Sequence, residues 1–259
     1  MTDKHAMKHG DFTQLAASYA AYRPGYSPFV ISSVLAVAGH GTQALSVADV
    51  GAGTGILSRQ LAGQGCKVVA VEPNDAMRGQ GQAGNGPLAI DWRAGSAEMT
   101  GLTAGSVGLV TMASAFHWAD FNQAVAEFAR ILTPQGYFMA LWNPRAIERN
   151  PLLVEIESTL QKLVPELKRV SSGRSEFCDG LLQRLDGSNA FRDVMYLEGF
   201  HTERQSRERY IGLWESVNDI RVQAGPERFA KFMDYVKDVT KGVSHIEASY
   251  QTRAWLAKK

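Results

Sequence analysis

Cysteine is scarce in this chain: Cys66 and Cys178 are the only two among 259 residues. Two thiols build neither a disulfide framework nor a Cys-rich metal site. Cys66, just before an apolar run, reads as a small core or strand-end residue. Excess charge is missing as well. With 27 basic and 26 acidic residues the formal net charge is +1. That gives no electrostatic reason to bind a phosphate backbone, so no nucleic-acid partner is expected unless a local basic patch hides inside the neutral sum. Long hydrophobic runs are absent, and nothing approaches the ~20 apolar residues of a membrane span. Met1 to Gly10 is polar and rich in His and Lys, without the apolar core of a signal peptide, so the expected location is cytoplasmic. The six histidines are scattered, at no metal-ligand spacing, and no metal is expected. There is no internal repeat and no low-complexity tract. Either a monomer or a homodimer fits.

What is present is the composition of an ordinary globular protein, 45% hydrophobic and 20% charged. Phe12, Leu15, Ala16 and Tyr19 recur at helical spacing, as do Val30, Ile31, Val34, Leu35 and Val37; Arg23-Pro24-Gly25-Tyr26-Ser27-Pro28 separates the two stripes. From 46 to 142 the rhythm is strand, turn, helix. Aliphatic runs at Val47–Val50, Val68–Val71, Leu88–Trp92, Val107–Met112 and Tyr137–Trp142 are bounded by Gly, Pro, Asn or Asp, as buried parallel strands are. Helical patterns at Ile56–Ala62 and Phe121–Leu132 lie between them. This alternation predicts a parallel, doubly wound sheet covered on both faces. Beyond Pro144 the chain predicts helices over 152–164, 208–223 and 227–241, a strand over 194–206 and an alternating final strand over 246–257. Residues 171–190, polar and broken by Gly and Ser, receive no assignment.

The most specific stretch is Val47-Ala48-Asp49-Val50-Gly51-Ala52-Gly53-Thr54-Gly55-Ile56-Leu57-Ser58. A buried strand runs into a glycine-rich turn and then directly into a helix. Glycines there allow positive φ and close approach of backbone to a ligand, and the free N–H groups of the helix start favour polar or anionic groups. Glu72 ends the next strand, where an acidic side chain can accept hydrogen bonds from both ribose hydroxyls. The G-x-G-x-G spacing differs from a nicotinamide or flavin fingerprint.

This segment resembles the first motif of class I S-adenosylmethionine-dependent methyltransferases. Ala94-Gly95-Ser96-Ala97-Glu98 resembles that family's adenine-side loop. Arg130-Ile131-Leu132-Thr133-Pro134-Gln135-Gly136-Tyr137-Phe138 resembles its turn into the fifth strand. The likeness covers residues 10 to 145 well and the remainder in outline. Phe12, Tyr19, Arg23 and Tyr26 match a Y-x-x-x-R-P-x-Y segment of the small-molecule branch that includes trans-aconitate and ubiquinone/menaquinone-type enzymes. Ser216-Val217-Asn218-Asp219-Ile220, with the Tyr, Trp and Arg residues around it, is similar to toxoflavin-pathway N-methyltransferases.

The resemblance implies an α/β fold: a doubly wound, mainly parallel, seven-stranded Rossmann-like sheet with an N-terminal helical lid and a C-terminal helical cap insertion. It implies one domain over 1–259, with the lid at 10–38, the cofactor-binding core at 46–145, cap helices plus a strand at 146–241 and a last strand at 246–257. The implied cofactor is S-adenosyl-L-methionine. Gly51, Gly53 and Gly55 would pass close to its amino-acid end, and Asp49 would act on that end directly or through water. Glu72 would hold the ribose, Pro73 and Asn74 would flank the adenosine, and Ala97 and Glu98 would meet the adenine. Tyr19 and Ser114 join this cofactor set, and Arg23 would pair with the methionine carboxylate.

On the substrate side, the fourth strand ends in Ser114-Ala115-Phe116-His117-Trp118 rather than the Asn/Asp-Pro-Pro-Tyr-like motif of many nucleic-acid and protein amino-methylating enzymes. His117 is either a general base, with an ordinary pKa near ~6.5, or a residue that shapes the pocket. Trp118 stands over sulfonium or acceptor, or packs. Trp142-Asn143-Pro144-Arg145 should border the same crevice. Phe12, Tyr26, Trp118, Trp142, Tyr210, Trp214 and Asn218 make up the expected substrate wall, the last three from one 208–223 helix that also carries Arg221. The expected reaction is methyl transfer to an N, O or C atom of a small polar, flat or heteroaromatic metabolite. An RNA methyltransferase and a nicotinamide-dependent oxidoreductase are the alternatives, and a non-catalytic cofactor-binding module is a third.

Overall fold

The computed structural model describes residues 12–39, 43–168 and 173–259. The leader reading of Met1 to Gly10, the first two residues of the lid, and residues 171–172 lie outside these. Two N-terminal helices, α1 (Ala16–Tyr22) and α2 (Pro28–Val37), precede the sheet. The core then alternates: β1 (Ser46–Val50), α3 (Ile56–Gly63), β2 (Lys67–Val71), α4 (Asp75–Ala83), β3 (Ile90–Arg93), β4 (Val107–Ala113), α5 (Phe121–Ile131), β5 (Leu132–Trp142). The remainder is α6 (Pro151–Leu163), α7 (Glu176–Asp179), α8 (Leu181–Asp186), β6 (Arg192–Ser206), α9 (Arg207–Glu215), α10 (Asn218–Val239) and β7 (His245–Lys258).

The seven strands form one sheet in the order β3-β2-β1-β4-β5-β7-β6. β1 pairs in parallel with both β2 and β4, β7 runs antiparallel beside β5, and β6, antiparallel to β7, again runs with the core strands. The order therefore reverses at β1. Loops leaving its two sides diverge above the carboxyl ends of the strands and open a crevice there. This is the doubly wound α/β sheet that the alternating pattern predicts, in the mainly parallel, seven-stranded, Rossmann-like form that the family resemblance implies.

One face of the sheet buries Val110, Met112, Phe138 and Ala140 against Phe128 and Ile131 of α5 and Leu181 and Leu185 of α8. The other buries Val47, Leu109, Met139 and Leu141 against α2 and α3 through Val30, Val34, Leu57 and Leu61. A third apolar cluster joins α6, α9 and α10 to the first half of β7, with Ile156, Leu160, Tyr210, Trp214, Ile220, Phe232, Ile246 and Tyr250 buried in it. That cluster is the cap.

The structure corrects the helix predicted over 208–223. It ends at Ser216, whose hydroxyl donates back to the Leu213 carbonyl at 2.7 Å, and a new helix starts at Asn218. Such local bonding by Ser competes with the helical ladder and ends it. The helix predicted over 227–241 is the second half of α10, beyond a kink where Gly225 takes φ 70° and Pro226 restarts the turn. Residues 176–186 form the two short helices that periodicity could not resolve, and α4 is a helix that received no assignment.

Candidate active site

β1 delivers the chain into its glycine turn with Gly51 at φ 64° and Gly55 at φ 78°. A Cβ on Gly51 would stand 3.0 Å from the Ala115 Cβ, across the turn that follows β4. Glycine there keeps the two crevice loops in contact and leaves the backbone bare. Glu72, at the end of β2, closes the turn from the other side: Oε2 accepts from Gly53 N at 2.8 Å and Oε1 from Asn74 N at 2.9 Å. Burial pushes its pKa up and those two bonds oppose it. Each carboxylate oxygen retains a further lone pair, enough to accept from a diol.

These residues wall a cavity of about 240 Å³. Gly51, Gly53, Glu72, Pro73, Asn74, Ala97, Glu98 and Ser114 line it, with Phe12 and Tyr19 arriving from the N-terminal segment and Trp118 from the loop after β4. Asn74 has a second task, since its side chain caps α4 by accepting from Met77 N at 3.0 Å. A larger cavity of about 420 Å³ opens beside it, lined by Arg23, Asn143, Arg145, Glu157, Arg174, Val217, Asn218, Asp219 and Tyr250 among others. Phe12, Tyr19, Ser114 and Trp118 line both. Ser114, on that shared wall, is a non-glycine residue at φ 52°. Such a conformation is sparsely populated and persists only where the surroundings enforce it.

Several expected contacts fall elsewhere. Asp49 lines neither cavity. It is fully buried beneath the turn, accepting from Ser58 Oγ at 2.5 Å and Thr111 Oγ1 at 2.8 Å, and burial raises its pKa to about 6. It braces the loop from below. Gly55 also stays out of both linings; a Cβ on it would stand 2.8 Å from the Trp92 ring, which makes its glycine a packing requirement. Arg23 lines only the larger cavity, with Nη2 donating to Ser216 O at 2.9 Å and its guanidinium 4.7 Å from the Tyr19 ring centre. Tyr26 is buried under the site, its hydroxyl 3.3 Å from Ser114 Oγ.

His117 is the main correction. Its side chain lines neither cavity and borders a shallow depression with Asp120, Phe121, Phe177 and Arg184. Nδ1 accepts from the Trp142 indole N–H at 3.4 Å, and burial pulls the pKa down to about 4. A His so placed lines neither of the two cavities that meet at the end of β4. Trp142, Tyr210 and Trp214 are almost wholly buried and also stand off the linings. They are too large and apolar to leave in a solvated crevice, so the sheet face and the cap core absorb them. Asn218 and Trp118 do face the larger cavity. Glu157, Asp219 and Tyr250 went unpredicted there. They converge through the α6–α10 packing and the last strand, which leave no local spacing signal.

The Methyltransferase domain family matches residues 48–140. An uncharacterized methyltransferase of Schizosaccharomyces pombe is 32% identical over 253 residues, 94% of each chain. The chain belongs to the class I S-adenosylmethionine-dependent methyltransferases. A mycobacterial relative, an uncharacterized methyltransferase of Mycobacterium tuberculosis, is 37% identical over 134 residues, 52% of each chain, so that match spans about half of either protein's length. Among solved structures, one described as a type II methyltransferase from Anaeromyxobacter dehalogenans has a TM-score of 0.67 at 19% identity, covering 92% of this chain and 98% of the other. That likeness shows the fold. For a methyltransferase of this class the cofactor is S-adenosylmethionine, and the bare glycine turn with the Glu72 carboxylate beside it suits an adenosine and its ribose diol. The family replaces the nicotinamide-dependent alternative.

Proposed function

We propose that this methyltransferase transfers the methyl group of S-adenosylmethionine to an N, O or C atom of a small polar, flat or heteroaromatic metabolite. The observation that carries the reading is the pair of cavities meeting across Phe12, Tyr19, Ser114 and Trp118. In this reading the smaller cavity takes the cofactor. Glu72 accepts from the ribose, Pro73 and Asn74 flank the adenosine, Ala97 and Glu98 face the adenine, and Gly51, Gly53, Tyr19 and Ser114 surround the amino-acid end. Phe12, Trp118 and Asn218 then border the acceptor.

Bound in the smaller cavity, the cofactor would supply an activated methyl on sulfonium, with the electron pair of the broken S–CH3 bond left on sulfur as the acceptor takes the methyl. The protein's part is alignment and exclusion of water, and orientation alone contributes about 7–11 kcal/mol in well-placed reactions. Phe12, Tyr19 and Trp118 supply aromatic faces at the shared wall, where they flank a flat acceptor and attract a sulfonium. No side chain in the larger cavity needs to be a strong base when the acceptor is already nucleophilic. Its proton leaves to water.

The test is binding followed by turnover. S-adenosylhomocysteine should raise the melting temperature and NADH should not, because only a ligand that binds the native state stabilises it. Glu72→Gln should shrink the shift; equal shifts in wild type and variant would remove Glu72 from the ribose site. Methyl transfer to RNA with steep salt dependence would move the substrate class to nucleic acid.

A further inference from the structure

We infer that the larger cavity seats a carboxylate of the acceptor on Arg145, at a distance from the atom that receives the methyl group. This rests on the methyl-transfer reading above and adds the substrate's charge and orientation to it.

Arg145 follows β5 and is held by a backbone bridge to Tyr250 of β7. Its side chain, only 11% exposed, lines the larger cavity. Nη2 meets Glu157 Oε1 at 3.0 Å, and the guanidinium lies 3.9 Å over the Trp214 ring. Nη1 is buried with no hydrogen-bond partner. The Nε of Arg23, on the same lining, is likewise buried and unpartnered. Buried donors without acceptors are costly, and a ligand oxygen relieves that cost.

The charges on the lining are Arg23, Arg145 and Arg174 against Glu157 and Asp219. Arg174 stands half exposed, with Glu148 4.0 Å away. Among the described residues the lining thus carries both signs, and what it leaves unmatched are the two buried guanidinium N–H groups of Arg145 and Arg23, whose complement is an acceptor. A planar guanidinium matches a carboxylate in geometry, and here Glu157 and Trp214 have already fixed its orientation, so little rotamer freedom remains to be lost on binding. Tyr210 and Trp214 gain a role from this: they form the buried backing that holds Arg145 in place.

Position sets the orientation. Arg145 does not line the smaller cavity, whereas Phe12, Tyr19, Ser114 and Trp118 line both. A methyl group must cross at that shared wall. The carboxylate on Arg145 is thus an anchor, and the nucleophilic atom lies at the other end of a flat body flanked by the aromatic side chains.

The experiment starts from protein saturated with S-adenosylhomocysteine. Thermal-shift titrations would use nicotinate, quinolinate and orotate, each against its amide. At least one acid should bind about tenfold tighter than its amide. Arg145→Lys keeps the charge and loses the fork, and should weaken that acid by about tenfold with the amide unchanged. The paired variant Arg145→Met/Glu157→Gln removes both charges together, so neither is left buried alone. It should keep the S-adenosylhomocysteine shift and lose the preference for acid over amide. No preference for any acid in wild type, or a preference that survives the paired variant, would overturn the inference. A wild-type protein that S-adenosylhomocysteine does not stabilise would instead count against the methyl-transfer reading itself.

Discussion

Two buried titratable residues separate reading from outcome. Asp49 has its pKa raised to about 6 by burial, against an ordinary value of 3.8. The native state therefore holds this proton over a range where the unfolded chain has released it. Stability from this group is fully present below pH 3.8 and is lost as pH rises through about 6. The full difference is roughly 3 kcal/mol by linkage. Asp49→Asn should flatten the stability–pH curve between about pH 4 and 6, as read from urea midpoints; an unchanged slope would show that Asp49 does not titrate there. His117 runs the other way, its pKa pulled down to about 4 by burial. It stays neutral where the enzyme would work. His117→Gln should leave kcat/KM within about threefold of wild type and its pH profile unaltered, because a base within reach of the acceptor is worth about 10²–10⁴-fold and this residue reaches neither cavity. A thousandfold loss of kcat with unchanged cofactor affinity would restore it as the base. The residue was singled out because it follows β4 in the sequence; the direction of its side chain, toward Trp142, takes it off both linings.

At the scale of elements, the N-terminal segment divides in two. The Pro/Gly turn that separates its two apolar stripes is pinned: Gly25 N donates to Glu203 at 3.0 Å, Tyr26 N to Gln60 at 2.9 Å and Ser27 N to Thr252 at 2.8 Å, while Gly25 O accepts from Asn143 at 2.9 Å. The segment before it places Phe12 and Tyr19 on the cavities and Tyr22 against α9. Hydrogen exchange should therefore slow over residues 12–22 on adding S-adenosylhomocysteine, while 25–27 are protected with or without ligand. Equal ligand protection of both would merge them into one lid. Gly212 on α9 is a handle on this contact, since a Cβ there would stand 2.5 Å from the Tyr22 ring. Gly212→Val should speed exchange in α1 and weaken the ligand-induced shift. The sequence shows the two apolar stripes of this region but not the pins, whose partners lie in α3, β6, β7 and the segment just after β5.

For the whole molecule, β7 links two apolar bodies. Its residues Ala254 and Leu256 sit in the sheet core, whereas Ile246, Ala248 and Tyr250 sit in the cap. A strand shared this way couples the cap to the sheet. Urea unfolding followed by tryptophan fluorescence and by far-UV circular dichroism should give one coincident transition, moved as a unit by S-adenosylhomocysteine. Two separated midpoints would make the cap an independent folding unit.

The sequence alone determined the parallel alternation, the glycine turn and the acidic residue at the end of β2, because each is written in local periodicity or in backbone conformations few residues can adopt. The family followed from those motifs. Tertiary structure alone decided which polar groups meet. Arg145, Glu157, Asp219 and Tyr250 come from four separate elements, and their convergence depends on how the cap docks on β7. Burial likewise turned Asp49, Tyr26, Trp142, Tyr210 and Trp214 from expected contacts into supports. The free energy of hiding a large side chain depends on what packs against it, and the chain carries that information only once it is folded.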